Sequence, residues 1–288
     1  MELAKFVNIK ASDNSLQILV IVSIGFLILS LGGLIFDKRI LDYSPIWLKP
    51  LKFAISSLIF AITFIIFSSY FDKTRILFYT NWIISICLTI ELIIISMQAY
   101  RGRMSHFNYT TVEDMILFQI MAVAITIVWI VMSVYVYNSF QTLTGNAILD
   151  HGMRVGLLIS FLSMGVAFAM TKPGAEQIQK IQENKSPIGL TLGSHSVNEK
   201  DPSQKIPFTR WAKTGGDLRI AHFFGLHGMQ ILPLLAWILF AIGLHKYLAI
   251  GIIYLAGMSY LFGIIYVLYA SLQGRSIYEI LRIGSYSS

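Results

Sequence analysis

Seven stretches of this chain run for 17 to 28 residues with almost no charge, and that pattern leaves few folds open. Crossing roughly 30 Å of hydrocarbon takes ~20 helical residues. Residues 16–36, 53–71, 115–138, 155–171 and 247–274 contain no Asp, Glu, Lys or Arg. The stretches 76–100 and 220–244 are interrupted only by Glu91 and by His222 and His227. A soluble core cannot absorb this much oil: 56% of residues are hydrophobic and 13% charged, against about 45–50% and about 25% in ordinary domains. The expected fold class is all-α, an integral membrane bundle of seven transmembrane helices, with residues 1–288 forming one domain.

The first run follows a 15-residue polar segment and ends without a small-x-small cleavage site, so it reads as a retained helix and not a cleaved signal peptide. The single cysteine, Cys87, excludes an intramolecular disulfide and a thiolate metal cluster. A formal charge of +7 raises nucleic acid as a partner. The basic residues nevertheless sit in short inter-helix loops without interleaved aromatics, which excludes that class.

Membrane topology explains the charge, because basic loops resist translocation. With seven spans, one side carries Lys38, Arg39, Lys49, Lys52, Arg101, Arg103, Arg275, Arg282 and eight more between residues 172 and 219. The other carries Lys5, Lys10, Lys73, Arg75, Arg154 and Lys246. Sixteen against six predicts the N-terminus out and the C-terminus in. The loop 172–219 is the one long polar connection, too short and too poor in apolar residues for a second domain. Residues 275–288 read as a short interfacial helix or a frayed end.

Polar groups inside spans are costly and default to functional hypotheses. On the third helix Thr80, Cys87, Glu91 and Gln98 fall within about 40° of one another, giving one inward stripe; the structural alternative is a buried acid paired across helices for packing. On the sixth, Arg219, His222, His227 and Gln230 cover one arc, and Ala221, Gly225 and Gly228 the opposite one. The small residues predict a close helix contact. His222 and His227, five apart, point about 140° away from each other, so they need a third ligand between them or do different jobs. Each alone reads equally well as an interior histidine bonded to a carbonyl. Glu91 lies about 15 Å and His227 about 12 Å below the flanking arginines, on the same predicted side, which predicts that the two stripes share a cavity.

Residues 101–108 bring Arg101, Arg103 and His106 to the same face, and Thr110 and Thr111 ahead of Glu113 and Asp114 predict a helix cap. Trp47, Lys49 and Lys52 read as an interfacial Trp and two snorkelling lysines at a helix entry with Pro50 near its first position. Asp217 after two glycines reads as an N-cap, and His195 as a solvated loop histidine unless the long loop folds back. His151 and Arg154 open the fifth helix on the opposite side.

The segments 91–108 and 214–230, with a weaker match at 49–53, resemble two signature stretches of an uncharacterised bacterial family of multi-pass membrane proteins. The resemblance covers about an eighth of the chain and implies the bacterial inner (cytoplasmic) membrane; it carries no activity. Other seven-helix families fit less well: the run 247–274 has no lysine for a retinal Schiff base, and no His-x-x-x-His pair occurs.

Three functions compete. The first is an intramembrane enzyme in which Glu91, His222 and His227 act as acid and base, or bind zinc or iron together with His106. Gln98, Arg101, Arg103, Asp217, Arg219 and Gln230 would then hold a small amphiphilic or anionic-headgroup substrate drawn from membrane lipid. The second is a proton-coupled transporter or channel using the same relay; the absence of repeat symmetry counts against it. The third is a haem-binding electron carrier with His106 and His222 as axial ligands. The substrate and the oligomeric state are not readable from the sequence.

Overall fold

A computed structural model describes residues 14–72, 74–141 and 144–281. Lys5, Lys10, Lys73 and Arg282, all part of the topology count, lie outside the described residues, as does the tail from 282 to 288.

The chain is all-α and 72% helical; among the described residues seven helices are long and apolar enough to cross a membrane, and the chain is a multi-pass membrane protein. The spans are α1 (Asn14–Phe36), α2 (Leu48–Tyr70), α3 (Arg75–Arg101), α4 (Val112–Gln141), α5 (Ala147–Met164) continued by the short α6 (Val166–Met170), α8 (Leu218–Ala241) and α9 (Lys246–Leu272). Between them lie α7 (Ala175–Asn184), the terminal α10 (Ile277–Leu281) and six two-residue strands: β1 (Ile40–Leu41), β2 (Ser44–Pro45), β3 (Asn108–Tyr109), β4 (Leu190–Thr191), β5 (Ser196–Val197) and β6 (Gly216–Asp217). Every apolar run is a span. The largest boundary difference is at α5, which starts at Ala147 and takes Asp150, His151 and Arg154 into its first turns; α2 starts at Leu48, takes in Lys49 and Lys52 and puts Pro50 in its third position.

Contacts divide the chain into two compact units. Unit 1 comprises Met1–His106 and Ile116–Asp150, and unit 2 comprises Phe107–Met115 and His151–Ser288.

In unit 1, α1, α2 and α3 pack on one another. Trp47 is buried, not interfacial: its ring lies against Gly33, where an added Cβ would overlap it, and its Nε1 donates to Asp37 at 2.8 Å. Arg39 also grips Asp37 and donates to the Tyr100 carbonyl, tying the β1–β2 hairpin to the end of α3. The Arg39 guanidinium, with the Trp47 N–H, holds the Asp37 carboxyl well below the usual carboxylate range. Toward the other end of α3, the Tyr135 hydroxyl donates to Asn81 at 2.5 Å and meets Ser68 at 3.0 Å, tying α2, α3 and α4 together.

In unit 2 the small face of α8 makes the close contact its sequence predicts. An added Cβ at Gly225 would fall 2.1 Å from the Ser163 Cβ, and one at Gly156 would fall 2.6 Å from the Gly228 carbonyl oxygen. Ser160 Oγ donates into the same seam, toward the carbonyls of Gly225 and Leu226. Ala221 is fully buried with Ile159, Leu232 and Ile264. The long loop is ordered rather than a bare tether: β4 pairs with β3, β5 pairs with β6, and residues 199–214 fold into a hairpin. Thr111 caps α4 by exchanging bonds with Asp114, as the sequence suggests.

Candidate functional site

The polar stripe of α3 is buried along its length: Thr80, Cys87, Glu91 and Gln98 are each at most 7% exposed. Gln98 is engaged in local structure, accepting from Arg101 Nη1 at 3.1 Å and facing the Met104 carbonyl at 3.4 Å. Glu91 is different. Its Oε2 is buried and has no hydrogen-bond partner among the described residues, although a buried carboxylate ordinarily accepts several.

The cation nearest in role is Lys49. Its Nζ sits 3.1 Å from His106 Nδ1, and its charge lies within electrostatic reach of the Glu91 carboxylate. Sequence reasoning took Lys49 for a snorkelling lysine, and the structure directs it instead to the imidazole of the α3–α4 connection. An ammonium has only donors, so His106 Nδ1 accepts and the imidazole is the neutral tautomer with its proton on Nε2. Ser105 Oγ, 3.1 Å from the same nitrogen, adds a second donor. Phe53 and Phe118 flank the ring at centroid distances of 5.6 and 6.1 Å. Burial, reinforced by the Lys49 charge, holds the His106 pKa well below its ordinary value.

Arg101 and Arg103 close this end of α3. Gly102 between them adopts φ +75°, and its N–H bonds back to the Ala99 carbonyl, ending the helix in a left-handed cap. Unit 1 therefore gathers an acid, a cation, an imidazole and two guanidiniums on α2, α3 and the turn after α3.

The remaining sequence candidates lie in unit 2. Asp217, fully buried, caps α8, accepts from the backbone of Ala212 at 2.8 Å and of Arg219 at 3.0 Å, and takes a two-pronged bond from the Arg219 side chain. Arg219 also donates to the Arg210 carbonyl at 2.6 Å. His222 Nδ1 lies 3.1 Å from the Ser163 carbonyl, the interior-histidine arrangement that the sequence left open. His227 Nδ1 faces Gln230 Oε1 at 3.2 Å and its ring meets Phe223 edge-on. The two histidines thus have different partners. His195 is not a solvated loop histidine: its ring packs on Phe107, and Nδ1 approaches the Met170 sulfur at 3.4 Å. The long loop folds back there because Gly193, at φ +99°, slots between Phe107 and the Met170 carbonyl. His151 Nδ1 meets the Tyr254 hydroxyl at 2.9 Å.

The four expected metal ligands divide by unit, Glu91 and His106 in unit 1, His222 and His227 in unit 2. Among the described residues neither unit groups three or more His, Cys, Asp or Glu side chains around a common point for a metal ion. No family model, curated protein or solved structure matches this chain.

Proposed function

We propose that the chain is an integral membrane enzyme whose Glu91, His106 and Lys49 form an acid–base site acting on an amphiphile with an anionic head group. The observation that carries this reading is the Lys49 to His106 contact, with Lys49 also within electrostatic reach of Glu91, whose buried Oε2 lacks a hydrogen-bond partner among the described residues. An ammonium directed at an imidazole does little for stability, whereas it pre-sets a neutral base or donor, and an unsatisfied carboxylate is poised to exchange a proton. Arg101 and Arg103 supply the charge that an anionic head group needs. The acid–base form is the one whose groups unit 1 supplies by itself. The basic count supports the cytoplasmic side for this end of α3, with the N-terminus outside, and the family resemblance implies a bacterial inner membrane. The resemblance of residues 91–108 to a bacterial family supports the same location.

The test is native mass spectrometry of lipids retained by the purified protein, with elemental analysis and an absorption spectrum of the same sample. Wild type should retain an anionic amphiphile, Lys49→Met should lose it, and Glu91→Gln should retain it unconverted. A Soret band or stoichiometric zinc or iron would overturn the acid–base form. A proton flux in proteoliposomes that Glu91→Gln abolishes, without any lipid retained, would favour a transporter.

A further inference from the structure

The hairpin at residues 199–214 is built more firmly than a polar connection needs. Its base is closed by Lys200 N–H to the Thr214 carbonyl and its tip by Ile206 N–H to the Trp211 carbonyl at 2.8 Å. Its direction follows from two anchors. The strand after it ends at Asp217, where α8 begins, yet Trp211 packs on Phe223 and Phe224 at centroid distances of 5.6 and 6.2 Å. Those phenylalanines lie about 7–9 Å along α8 from its first residue, so the hairpin runs back beside the helix toward the membrane.

The tip is apolar where a solvated turn would be polar. Pro207 and Phe208 are exposed, Phe208 by 56%. Phe208 holds φ +64°, a backbone region that bulky side chains rarely adopt. Beside the tip Lys205 pairs with Glu199 at 2.5 Å with both side chains about nine-tenths covered, and Arg210, at the tip's inner end, is partly buried. Arg219, gripped by Asp217, anchors the carbonyl of Arg210. Phe223 and Phe224 are themselves more than 40% exposed on a membrane-spanning helix, and a cleft of about 240 Å³ lined by Ala221, Phe224, Ser259, Tyr260 and Gly263 opens beside them. An apolar tip, a Trp at the depth of the first helical turns and lipid-facing aromatics make up the composition of a bilayer interface.

We propose that the tip of this hairpin, Ile206 to Trp211, docks into the interfacial layer of the bilayer that α8 spans, with Phe208 among the upper acyl carbons. The occupant of this surface is lipid, and the docking is independent of the chemistry assigned to Glu91 and His106.

The test is a nitroxide label at position 208, by Phe208→Cys in a Cys87→Ser background reconstituted in nanodiscs, with a label at Asn184→Cys as the aqueous reference. The ratio of oxygen to nickel-chelate collision rates at 208 should exceed that at 184 by at least about threefold, as for an interfacial site. Equal ratios at 208 and 184 would overturn the proposal. Should the 208 variant misfold, Pro207→Cys reads the same depth. An unmodified tip is read by fluorescence quenching with lipids brominated near the head group: Trp211→Phe should remove a quenched component, and unchanged quenching would overturn the proposal.

Discussion

The polar groups around Glu91 in unit 1 and those along α8 in unit 2 are held in different ways. Along α8 the partners support the architecture: Asp217 closes a helix start and fixes Arg219, His222 bonds a carbonyl of α5, and Ser160 stitches the glycine seam. In unit 1 a cation is set against an imidazole, and the buried Glu91 Oε2 has no hydrogen-bond partner among the described residues. Buried polar groups that are fully bonded hold a fold in one arrangement. A buried carboxyl oxygen without a bonded partner keeps the residual capacity that proton transfer uses, and on the proposed reading that difference distinguishes site from scaffold.

The comparison breaks most visibly at Asp217. Asp217→Ala leaves the Ala212 and Arg219 donors without their acceptor and should cost about 3 kcal/mol, the lower range for a broken buried pair because Arg219 is partly exposed. Thermal unfolding in detergent reads this, and a loss under about 1 kcal/mol would reduce Asp217 to an ordinary cap. Next comes the seam: Gly225→Ala adds a Cβ 2.1 Å from that of Ser163 and should destabilise by about 2 kcal/mol, overpacking outweighing the better helix propensity. A stabilised variant would mean that α5 and α8 do not approach so closely.

Unit 1 should respond to pH through His106. Its folded pKa lies below the unfolded value near 6.5, so the unfolded chain takes up the proton first. The contribution is therefore fully present above about pH 6.5 and is lost as pH falls toward the folded value, at up to about 1.4 kcal/mol per pH unit. His106→Gln should flatten that slope in melts between pH 5 and 7; an unchanged slope would remove His106 as its source. The smallest effect belongs to Glu91→Gln, which replaces a titratable carboxyl bearing an unsatisfied oxygen and should shift stability by less than about 1 kcal/mol while abolishing function. A large destabilisation would make Glu91 part of the scaffold and erase the contrast.

The sequence carries the seven spans because the bilayer imposes a length and a polarity on each run, and periodicity suffices to place Glu91 in a buried stripe and Gly225 in a seam. Local chemistry also exposes the caps at Thr111 and Asp217. Lys49 was misread because snorkelling is a rule about helix ends, while its contact with His106 joins positions 57 apart. Trp47 was misread for a similar reason: the space opposite it is made by Gly33, on another helix. The order in the long loop escapes notice because β3 and β4 join residues about eighty positions apart with two residues each, too few to leave a pattern.

The central claim is that unit 1 holds an imidazole against a cation in readiness for chemistry, and nitrogen-15 NMR of histidine-labelled protein in nanodiscs tests it most directly, with His106→Gln assigning the resonance. The account predicts a His106 ring with a bare Nδ1 and a protonated Nε2, neutral at pH 5.5 and titrating closer to normal in Lys49→Met. A proton on Nδ1, or an ordinary midpoint near 6.5 that Lys49→Met does not move, would contradict it.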